Sequence, residues 1–520
     1  MEQLSNELLR VVLDHINQDP EASLTIDRRA HLSVESFKAP SPPERAKAQD
    51  IAQFRLVCKR FAELGISYQF TCVPLRFNRK SFHRLDLIAQ QPSLSKHVKK
   101  FIYLIPYFYV EGRVGVDGVV LPSTVVSEPS YYVRKYRDQR ELIESGDDLR
   151  ILKKAMAAFT SLQQVQIQPV QDEKESQLLD TIKETDESFG DIYLDLKWIP
   201  ACLHGSRTLA QALVEARSKF TVFSGLSMSP QSAVYLKNYP EKTISTTISL
   251  LASQLTCLEL HFNDGADRGW HETTIDHKMR ELSGLFKEVF TAATGMRSVH
   301  VGFRPRAPLG LPLEDIFHNV TWEKLRAFGI QSWFLDAEEI VELACRHRRT
   351  LKGLRLRDVH LRKGSMWKDV LGRLRDQMEA LDWLSLRRIG YEEWYNTQYR
   401  DTMEVPPDPP VGTSDSDNEG LIFETEDSDD EAEDGNDDEE LSDDERDNEN
   451  YDGGPDDEGL CVGPDTPSSV PWCNCGRGAP ESADELGDNG KFVDYVKRKM
   501  WEQWVVGRCT EHNTSRPMPR

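Results

Sequence analysis

Residues 351–356 read LKGLRL and residues 381–386 read LDWLSL, and both stretches place apolar side chains at positions i, i+3 and i+5. The same pattern occurs five more times, and the last five of the seven motifs begin 41, 29, 26 and 30 residues apart. Short strands that recur at such intervals predict segments that stack side by side. The seven motifs are Val98-Phe101-Tyr103, Leu162-Val165-Ile167, Leu255-Leu258-Leu260, Met296-Val299-Val301, Leu325-Phe328-Ile330, Leu351-Leu354-Leu356 and Leu381-Leu384-Leu386.

The spacing and the alternating apolar residues are typical of leucine-rich repeats, in which each repeat contributes one short parallel strand. Segments with helical periodicity lie between the motifs, at residues 336–349 and 367–378, and Asp336 is a candidate N-cap. We therefore predict an α/β fold, with an irregular leucine-rich-repeat-like solenoid over residues 76–400. The alternative is a generic α/β domain that is rich in leucine. Residues 111–147 and 170–250 fit the repeat poorly.

Side chains between the core positions of such strands are expected on the exposed face of the sheet. Arginine binds carboxylate or phosphate through two parallel hydrogen bonds, and an indole supplies an apolar anchor. The candidate substrate-binding residues are therefore Arg355, Arg357, Trp383 and Arg387, for an acidic or phosphorylated protein segment. The alternative is that they are ordinary solvated side chains. The complete set of face positions is Glu259, His261, Ser298, His300, Gly329, Gln331, Arg355, Arg357, Trp383, Ser385 and Arg387.

The first residues of the chain have helical periodicity. Residues 4–16 read LSNELLRVVLDHI, whereas residues 17–49 are polar, contain several prolines and predict a loop. A second helix is predicted from Asp50, with Gly65 as its C-terminal stop. Two short amphipathic helices do not bury both of their faces alone. They therefore either cap the end of the repeat body or bind a partner.

The residues of these two helices resemble those of an F-box. In that family a leucine-proline-x-glutamate-leucine opening precedes an arginine-x-valine-cysteine-basic-x-aromatic segment. The sequence departs from this pattern at Ser5, which replaces the proline, and in the length of the loop 17–49. The resemblance covers roughly residues 4–70. Overall, the chain resembles the large filamentous-fungal F-box families. Its motifs here are Leu4-Ser5-Asn6-Glu7-Leu8-Leu9 and Arg55-Leu56-Val57-Cys58-Lys59-Arg60-Phe61.

This resemblance implies a non-catalytic adaptor of a ubiquitin ligase. An F-box binds a Skp-type linker subunit, and through it a cullin, while the rest of the chain holds a protein substrate near the ubiquitin carrier. Residues 1–75 would form the F-box, and Cys58 would be a small buried hydrophobe rather than a nucleophile. The linker-binding residues that the resemblance implies are Leu4, Leu8, Leu9, Val12, Leu13, Ile16, Val57, Cys58 and Phe61.

Negative charge is concentrated in one segment. Residues 401–460 contain 27 acidic residues and one basic residue, whereas the whole chain has a net charge of −22, so the rest carries +4. Such a composition buries too little apolar surface to fold, and we predict a disordered acidic segment over residues 401–487. Its interpretations are a flexible spacer, a shield for the arginines of the body, or the acidic tail of a chaperone for basic proteins.

The C-terminal residues regain an amphipathic pattern. We predict a helix over residues 488–508, which would cap the open end of the repeats, and a tail over residues 509–520. Its apolar residues are Phe492, Tyr495, Val496, Met500, Trp501 and Trp504.

Motifs of other protein classes are missing from the sequence. It has no glycine-rich phosphate loop, no G-x-S-x-G turn and no H-E-x-x-H motif, and its nine cysteines are scattered. It also has no signal-peptide pattern and no apolar stretch of membrane-spanning length. We therefore expect a protein of the cytoplasm and/or nucleus that is not an enzyme and has no cofactor, metal, membrane or nucleic-acid partner.

Overall fold

The computed structural model describes residues 4–16, 42–111, 129–170, 194–237, 243–263, 275–303, 308–395, 480, 482–491, 493 and 495–506. It is a mixed α/β structure whose main sheet is parallel. Most of the predicted acidic segment 401–487, most of the loop 17–49 and the tail 509–520 lie outside the described residues.

Within the described residues, the main sheet has ten strands, nine of which lie side by side in chain order. Each pair of neighbours among these nine is parallel. They are β1 (Cys72–Arg76), β2 (Lys100–Pro106), β4 (Gln164–Val170), β6 (Val222–Met228), β7 (Cys257–Phe262), β8 (Ser298–Phe303), β9 (Ala327–Leu335), β10 (Gly353–Leu361) and β11 (Trp383–Arg387). The tenth, β12 (Gly390–Tyr391), also pairs with β10. A separate antiparallel pair joins β3 (Phe108–Glu111) to β5 (Leu194–Lys197).

Helices connect most of the successive strands and precede the first of them. Among the described residues, none of these helices combines the length and the apolar character that crossing a membrane requires. They are α1 (Asn6–Ile16), α2 (Pro42–Val57), α3 (Lys59–Gln69), α4 (Arg79–Gln90), α5 (Pro92–Ser95), α6 (Pro129–Ser145), α7 (Asp147–Ala158), α8 (Trp198–Glu215), α9 (Pro230–Lys237), α10 (Thr243–Ser253), α11 (Ile275–Ala292), α12 (Leu313–Phe317), α13 (Ala337–Arg346), α14 (Trp367–Gln377) and α15 (Tyr495–Val505).

All seven sequence motifs lie on strands of the main sheet, and their core residues are in register. The middle residues of the motifs form one row of Cα partners, and the last residues form a second row. Most of these side chains are buried in one continuous core with the helices. The α/β class that the motifs predicted is therefore confirmed. The rows are Phe101, Val165, Phe223, Leu258, Val299, Phe328, Leu354 and Leu384, and Tyr103, Ile167, Gly225, Leu260, Val301, Ile330, Leu356 and Leu386.

Two of the nine parallel strands in the row were missed in the sequence. Strand β1 follows the same spacing, with Phe70, Val73 and Leu75 at positions i, i+3 and i+5. Strand β6 lies inside the stretch 170–250 that fitted the repeat poorly, and Gly225 occupies its last core position. A Cβ on Gly225 would lie 2.9 Å from Cγ of Met228, so the methionine fills the space of the missing side chain.

A left-handed residue recurs two residues beyond the second core row, on β6, β9 and β10 and directly after β11. The pairing of β9 with β10 passes from Gln331 and Arg357 directly to Trp333 and Val359, so one residue on each strand is skipped. Such a bulge reverses the alternation of side chains and returns apolar residues to the core beyond it. The left-handed residues are Ser227, Ser332, Asp358 and Arg388, with φ of 60°, 66°, 51° and 48°.

The C-terminal helix α15 packs on β11, the last strand in the row. Trp501 and Trp504 are buried there, and their indole N–H groups donate to the carbonyl oxygens of Leu486 and Pro480 at 3.0 and 2.7 Å. The Glu502 carboxylate accepts the backbone N–H of Leu386 at 2.6 Å. This contact satisfies one donor of the edge strand, which would otherwise offer it to another chain.

The two flanks of the acidic segment lie next to each other at this end of the sheet. The indole N–H of Trp394 donates to the carbonyl oxygen of Gly490 at 3.0 Å. The Tyr391 hydroxyl donates to the Asp488 carboxylate, which also accepts the backbone N–H of Lys368 at 2.8 Å. Residues on both sides of the segment 396–479 are therefore held on the last strands.

Candidate functional site

The N-terminal helices form a unit in which α1 runs alongside α3. The Arg60 guanidinium donates to Oδ1 of Asn6 at 2.7 Å and to the carbonyl oxygen of Leu4 at 2.5 Å. At the other end, the Tyr68 hydroxyl donates to Oδ1 of Asp14 at 2.7 Å. The two helices are therefore parallel, because one contact joins their N-terminal ends and the other joins their C-terminal ends.

Part of the apolar set implied by the F-box resemblance holds this unit together. Leu9, Leu13 and Phe61 are fully buried, Ile51 is nearly so, and Phe54 stacks on Phe61 with ring centroids 4.4 Å apart. These side chains contact the other helices of the unit and are not available to a partner.

Four of the six remaining members of that set are exposed. Leu4, Leu8, Val12 and Val57 expose 37%, 53%, 38% and 60% of their area, and Val11 and Leu56 are exposed with them. The Arg60 contacts bring the start of α1 next to the junction of α2 and α3, where Leu56 and Val57 lie. We call these six residues the N-terminal apolar surface.

Cys58 and Ile16, the other two members of the predicted set, are half-buried. The expectation that Cys58 is a buried hydrophobe is therefore wrong. Its backbone is extended, with φ of −161° and ψ of 167°, and it separates α2 from α3 as the N-cap residue of α3.

The predicted helix boundaries also need correction. Helix α2 begins at Pro42, within the predicted loop 17–49, because proline is favoured in the first turn of a helix. Helix α3 continues past Gly65 to Gln69, so this glycine is not a helix stop. A Cβ on Gly65 would clash with the Arg55 side chain, and glycine is therefore what lets α2 and α3 approach here.

The polar positions between the core residues form two further rows across the sheet, which we call the polar rows. One row consists of Ser224, Glu259, His300, Gly329, Arg355 and Ser385. The other consists of His261, Gly302, Gln331, Arg357 and Arg387.

The expectation that these positions are exposed is wrong for most of them. Arg355 and Arg357 expose 4% and 3% of their area, and His300 is fully buried. On the last strand, Trp383, Ser385 and Arg387 are half-buried. The buried positions of the predicted face are Glu259, His261, Ser298, His300, Gly329, Gln331, Arg355 and Arg357.

Rings lying across glycines on neighbouring strands contribute to this burial. A Cβ on Gly302 would lie 2.8 Å from Nδ1 of His261, and one on Gly329 would clash with Nδ1 of His300. On the adjacent row, a Cβ on Gly353 would clash with the Trp383 indole. Because neighbouring strands are only about 4.8 Å apart, side chains that lie flat cover one another. The rings of His261 and His300 are 4.9 Å apart.

The His300 side chain makes no hydrogen bond, and the charged groups that affect its pKa are basic residues. Neither ring nitrogen of His300 has a hydrogen-bond partner, nor does Oε1 of Gln331. Burial, together with the nearby His261, Arg355 and Arg357, holds the pKa of His300 well below 6.5. The imidazole is therefore neutral at pH 7, with one N–H donor and one acceptor nitrogen.

We expect the free energy of unfolding to fall as the pH drops below 6.5. The pKa of His300 is lowered in the folded chain, so the unfolded chain binds the proton more readily, and acid favours unfolding. Each such group contributes up to about 1.4 kcal/mol per pH unit. Burial also lowers the pKa of His347, which adds in the same direction. Urea unfolding at pH 7.5 and 5.5 measures the loss, and a loss of equal size in His300→Phe would contradict the assignment to His300.

Another polar contact joins two helices. The His204 ring and the buried Asp148 carboxylate lie 2.6 Å apart and link α8 to α7, while the Thr208 hydroxyl donates to the carbonyl oxygen of His204 at 2.7 Å. Within the described part of the chain, no three or more histidine, cysteine, aspartate and glutamate side chains are grouped to hold a metal ion.

No model of a known protein family matches the sequence. A comparison with curated proteins also finds no match.

Proposed function

We propose that this protein is a substrate-recognition adaptor of a Skp–cullin–F-box ubiquitin ligase. The observation that carries the proposal is the N-terminal apolar surface, which is exposed although the unit has its own buried core. Contiguous exposed apolar residues on a soluble chain are typical of protein-binding sites. The residues 55–61 that most resemble an F-box lie at the edge of this surface.

The partner at this surface would be a Skp-type linker subunit, and through it a cullin. Leu8, Val12 and Val57 supply the apolar contacts, with Leu4 at the edge, whereas Leu9, Leu13 and Phe61 preserve the shape of the unit from inside. Removing the exposed apolar area of these side chains from water favours association with a partner.

The body would be a leucine-rich-repeat-like solenoid that binds the protein substrate. Nine described parallel strands in chain order, motifs in register and the left-handed residue that recurs on three strands and directly after a fourth all support a repeating unit. The substrate site would lie on β10 and β11, with Arg355, Arg357, Trp383 and Arg387, and would accept an acidic or phosphorylated segment. The chain itself would catalyse no reaction and would act in the cytoplasm and/or nucleus by raising the local substrate concentration.

Co-purification with the Skp-type linker tests this function. The double variant Leu8→Asp plus Val57→Asp should lose the linker, because two carboxylates would have to be desolvated in an apolar interface. Both side chains are exposed, so the variant should fold like the wild type, which circular dichroism checks. Leu250→Asp, an exposed leucine on α10 with 61% of its area accessible, is the matched control and should keep the linker.

A repeat-based interaction scaffold without a ligase role is the second candidate. Phe70, one residue beyond α3, packs on the main core, so the N-terminal helices also lie at the first edge of the sheet. If the wild-type chain fails to bind the linker, these helices are an end cap and the adaptor proposal is wrong.

A further inference from the structure

The nine strands in the row all begin at one side of the sheet, because neighbouring strands are parallel. A repeated backbone contact aligns these beginnings: the carbonyl oxygen of Arg297, before β8, accepts the N–H groups of Arg326 and Ala327 at the start of β9. The residues that precede the strands therefore form one row, with steps of about 4.8 Å. The carbonyl oxygens that make this contact belong to Thr71, Lys99, Gln163, Thr221, Thr256, Arg297, Arg326 and Lys352.

This side of the sheet is strongly basic. The connections that lead into the nine strands contain ten lysines and arginines but only three acidic residues, an excess of seven positive charges. The whole chain outside residues 401–460 carries only +4, so its positive charge is concentrated here. The connections are residues 70–71, 96–99, 159–163, 216–221, 254–256, 293–297, 318–326, 347–352 and 378–382.

Nine of these ten basic side chains are exposed, and six of the nine make no ion pair with any residue that the structure describes. Of the other three, Arg348 and Arg349 share the Glu379 carboxylate, and Lys352 lies 3.5 Å from Asp382. Exposed ion pairs of this kind contribute little and exchange readily with other anions. We call the nine residues the basic rim: Lys96, Lys99, Arg217, Lys219, Arg297, Lys324, Arg348, Arg349 and Lys352.

The helices that end at this side do not account for all of these cations. The C-terminal end of a helix carries a partial negative charge that favours cations, but the effect falls off within the last turn. Lys219 lies four residues beyond the end of α8, and Arg297 lies five beyond the end of α11. Near β2, burial together with the charges of Lys96 and Lys99 lowers the pKa of His97 below 6.5. The rim therefore carries positive charge that the described residues do not neutralise.

The acidic segment leaves the described chain at the opposite side of the sheet. Tyr391 is the Cα partner of Leu361, the last residue of β10. The indole N–H of Trp394, the residue before the last described one of the body, donates to the carbonyl oxygen of Gly490. The chain before residue 396 therefore stops at the side where the strands end.

The segment returns next to the basic rim. The carbonyl oxygen of Pro480 accepts the indole N–H of Trp504, whose ring lies 4.3 Å from the guanidinium of Arg375 in the last turn of α14. This end of α14 adjoins the rim, because the N–H of Glu379 donates to the carbonyl oxygen of Arg348 at 3.1 Å. The positions of the two flanks therefore require residues 396–479 to connect the two sides of the sheet.

The length and charge of the segment match the rim. The 84 residues 396–479 can extend over roughly 280 Å, whereas the seven steps from β11 to β2 amount to roughly 34 Å. Residues 401–460 contain 27 acidic residues and one basic residue. We propose that residues 401–460 bind along the basic rim of the same chain, where their carboxylates are the counterions of its lysines and arginines.

Nucleic acid is the other polyanion that a basic surface attracts. Binding of single strands uses exposed aromatic rings on which bases stack. The aromatic residues of the charged connections, Phe220 and Trp322, are instead buried. The acidic segment also has the advantage of being intramolecular, so an external polyanion must displace it. The inference concerns contacts within the chain and does not depend on the adaptor function.

Zero-length cross-linking of the full-length chain tests the proposal. A carbodiimide joins a lysine amine to a carboxylate that contacts it, and mass spectrometry identifies both residues. We expect carboxylates of residues 401–460 on Lys99, Lys219 and Lys324. The yield should fall at least fivefold at about 1 M salt, where charges are screened beyond about 3 Å. Lys59, exposed at the start of α3, is the control and should give at most a fifth of the Lys99 yield.

A pair of variants checks that the charge of the rim is responsible. Lys219→Gln plus Arg297→Gln removes two exposed cations and should lower the yield on Lys99 at least threefold, with an unchanged midpoint of thermal unfolding. Lys59→Gln plus Lys287→Gln removes the same charge from exposed positions on α3 and α11, and it should leave the Lys99 yield unchanged.

Four results would overturn the inference. They are the absence of cross-links between the segment and the rim, equal yields on Lys59 and Lys99, an unchanged Lys99 yield in the rim variant, and cross-links that join two copies of the chain. A mixture of isotopically labelled and unlabelled chains identifies the last case, because cross-linked peptides would then combine one labelled and one unlabelled partner. None of these measurements uses the linker subunit.

Discussion

A chain truncated before Pro480 is expected to lose cooperative folding of its last strands and to aggregate. The truncation removes Leu486, Trp501, Trp504 and Val505, all of which are buried. Burial of one such side chain is worth about 1.5–3 kcal/mol, so four together are comparable with the whole stability of many domains. It also uncovers β11, whose backbone would then be free to pair with another chain. Urea unfolding and light scattering measure the two effects.

A single substitution isolates the contribution of the edge contact. Glu502→Ala leaves the two tryptophans in place but removes the acceptor of the Leu386 N–H group. Leaving that buried donor unpaired should cost about 1–3 kcal/mol, less than the truncation. Equal stability of the truncated and full-length chains would show that α15 does not cover the sheet.

Trp333→Ala is expected to destabilise the protein by about 3–5 kcal/mol. The Trp333 side chain is fully buried beyond the bulge of β9, with its ring 4.8 Å from that of Phe303. Its indole N–H donates to the carbonyl oxygen of Leu311 at 2.9 Å, so the substitution leaves both a cavity and an unpaired acceptor. Chemical unfolding gives the free-energy difference.

Trp394→Ala is the matched control for this substitution. The Trp394 side chain is 57% exposed, although its indole N–H also donates to a backbone carbonyl oxygen. Exposed side chains contribute little through packing, so we expect a loss of about 1 kcal/mol or less. Similar losses for the two tryptophans would contradict the placement of Trp333 in the core.

The sequence was sufficient to predict the sheet wherever the repeating residues are themselves large and apolar. The spacing of Leu351, Leu354 and Leu356 fits a strand, and the same spacing at six other places predicted the α/β class. Strand β6 could not be found in this way, because Gly225 stands at a core position that Met228 fills from its own strand. The bulges also left no signal, since serine, aspartate and arginine occupy the left-handed positions that glycine usually marks.

The burial of the polar rows could not be predicted from alternation. Alternation gives the face on which a side chain lies, and it placed His300 and Arg355 correctly on the side opposite the core rows. It does not show what covers that face, which here depends on rings crossing glycines of neighbouring strands. The sequence feature that indicates this burial is a histidine on one strand beside a glycine on the next, as in His300 with Gly329 or His261 with Gly302. These pairs can be recognised only once the register of the strands is known.

The sequence also did not show which of the N-terminal apolar residues are buried and which are exposed. Leu8 and Leu9, or Val12 and Leu13, are adjacent in sequence and point in directions about 100° apart on a helix. Helical periodicity therefore allows either member of each pair to face the other helices. The structure buries Leu9 and Leu13 and exposes Leu8 and Val12, because the Arg60 and Tyr68 contacts fix the rotation of α1 against α3.

The cover of β11 by α15 has a consequence for synthesis of the chain. Residues 388–494 must leave the ribosome after β11 and before α15, and at roughly 5–20 residues per second this takes on the order of ten seconds. During that interval the strand is complete but its edge is uncovered. The part of the chain that emerges in the meantime includes residues 401–460, with 27 acidic residues and one basic residue. Their like charge opposes close contact between two such chains in this interval, over the roughly 8–10 Å at which charges are not screened by salt.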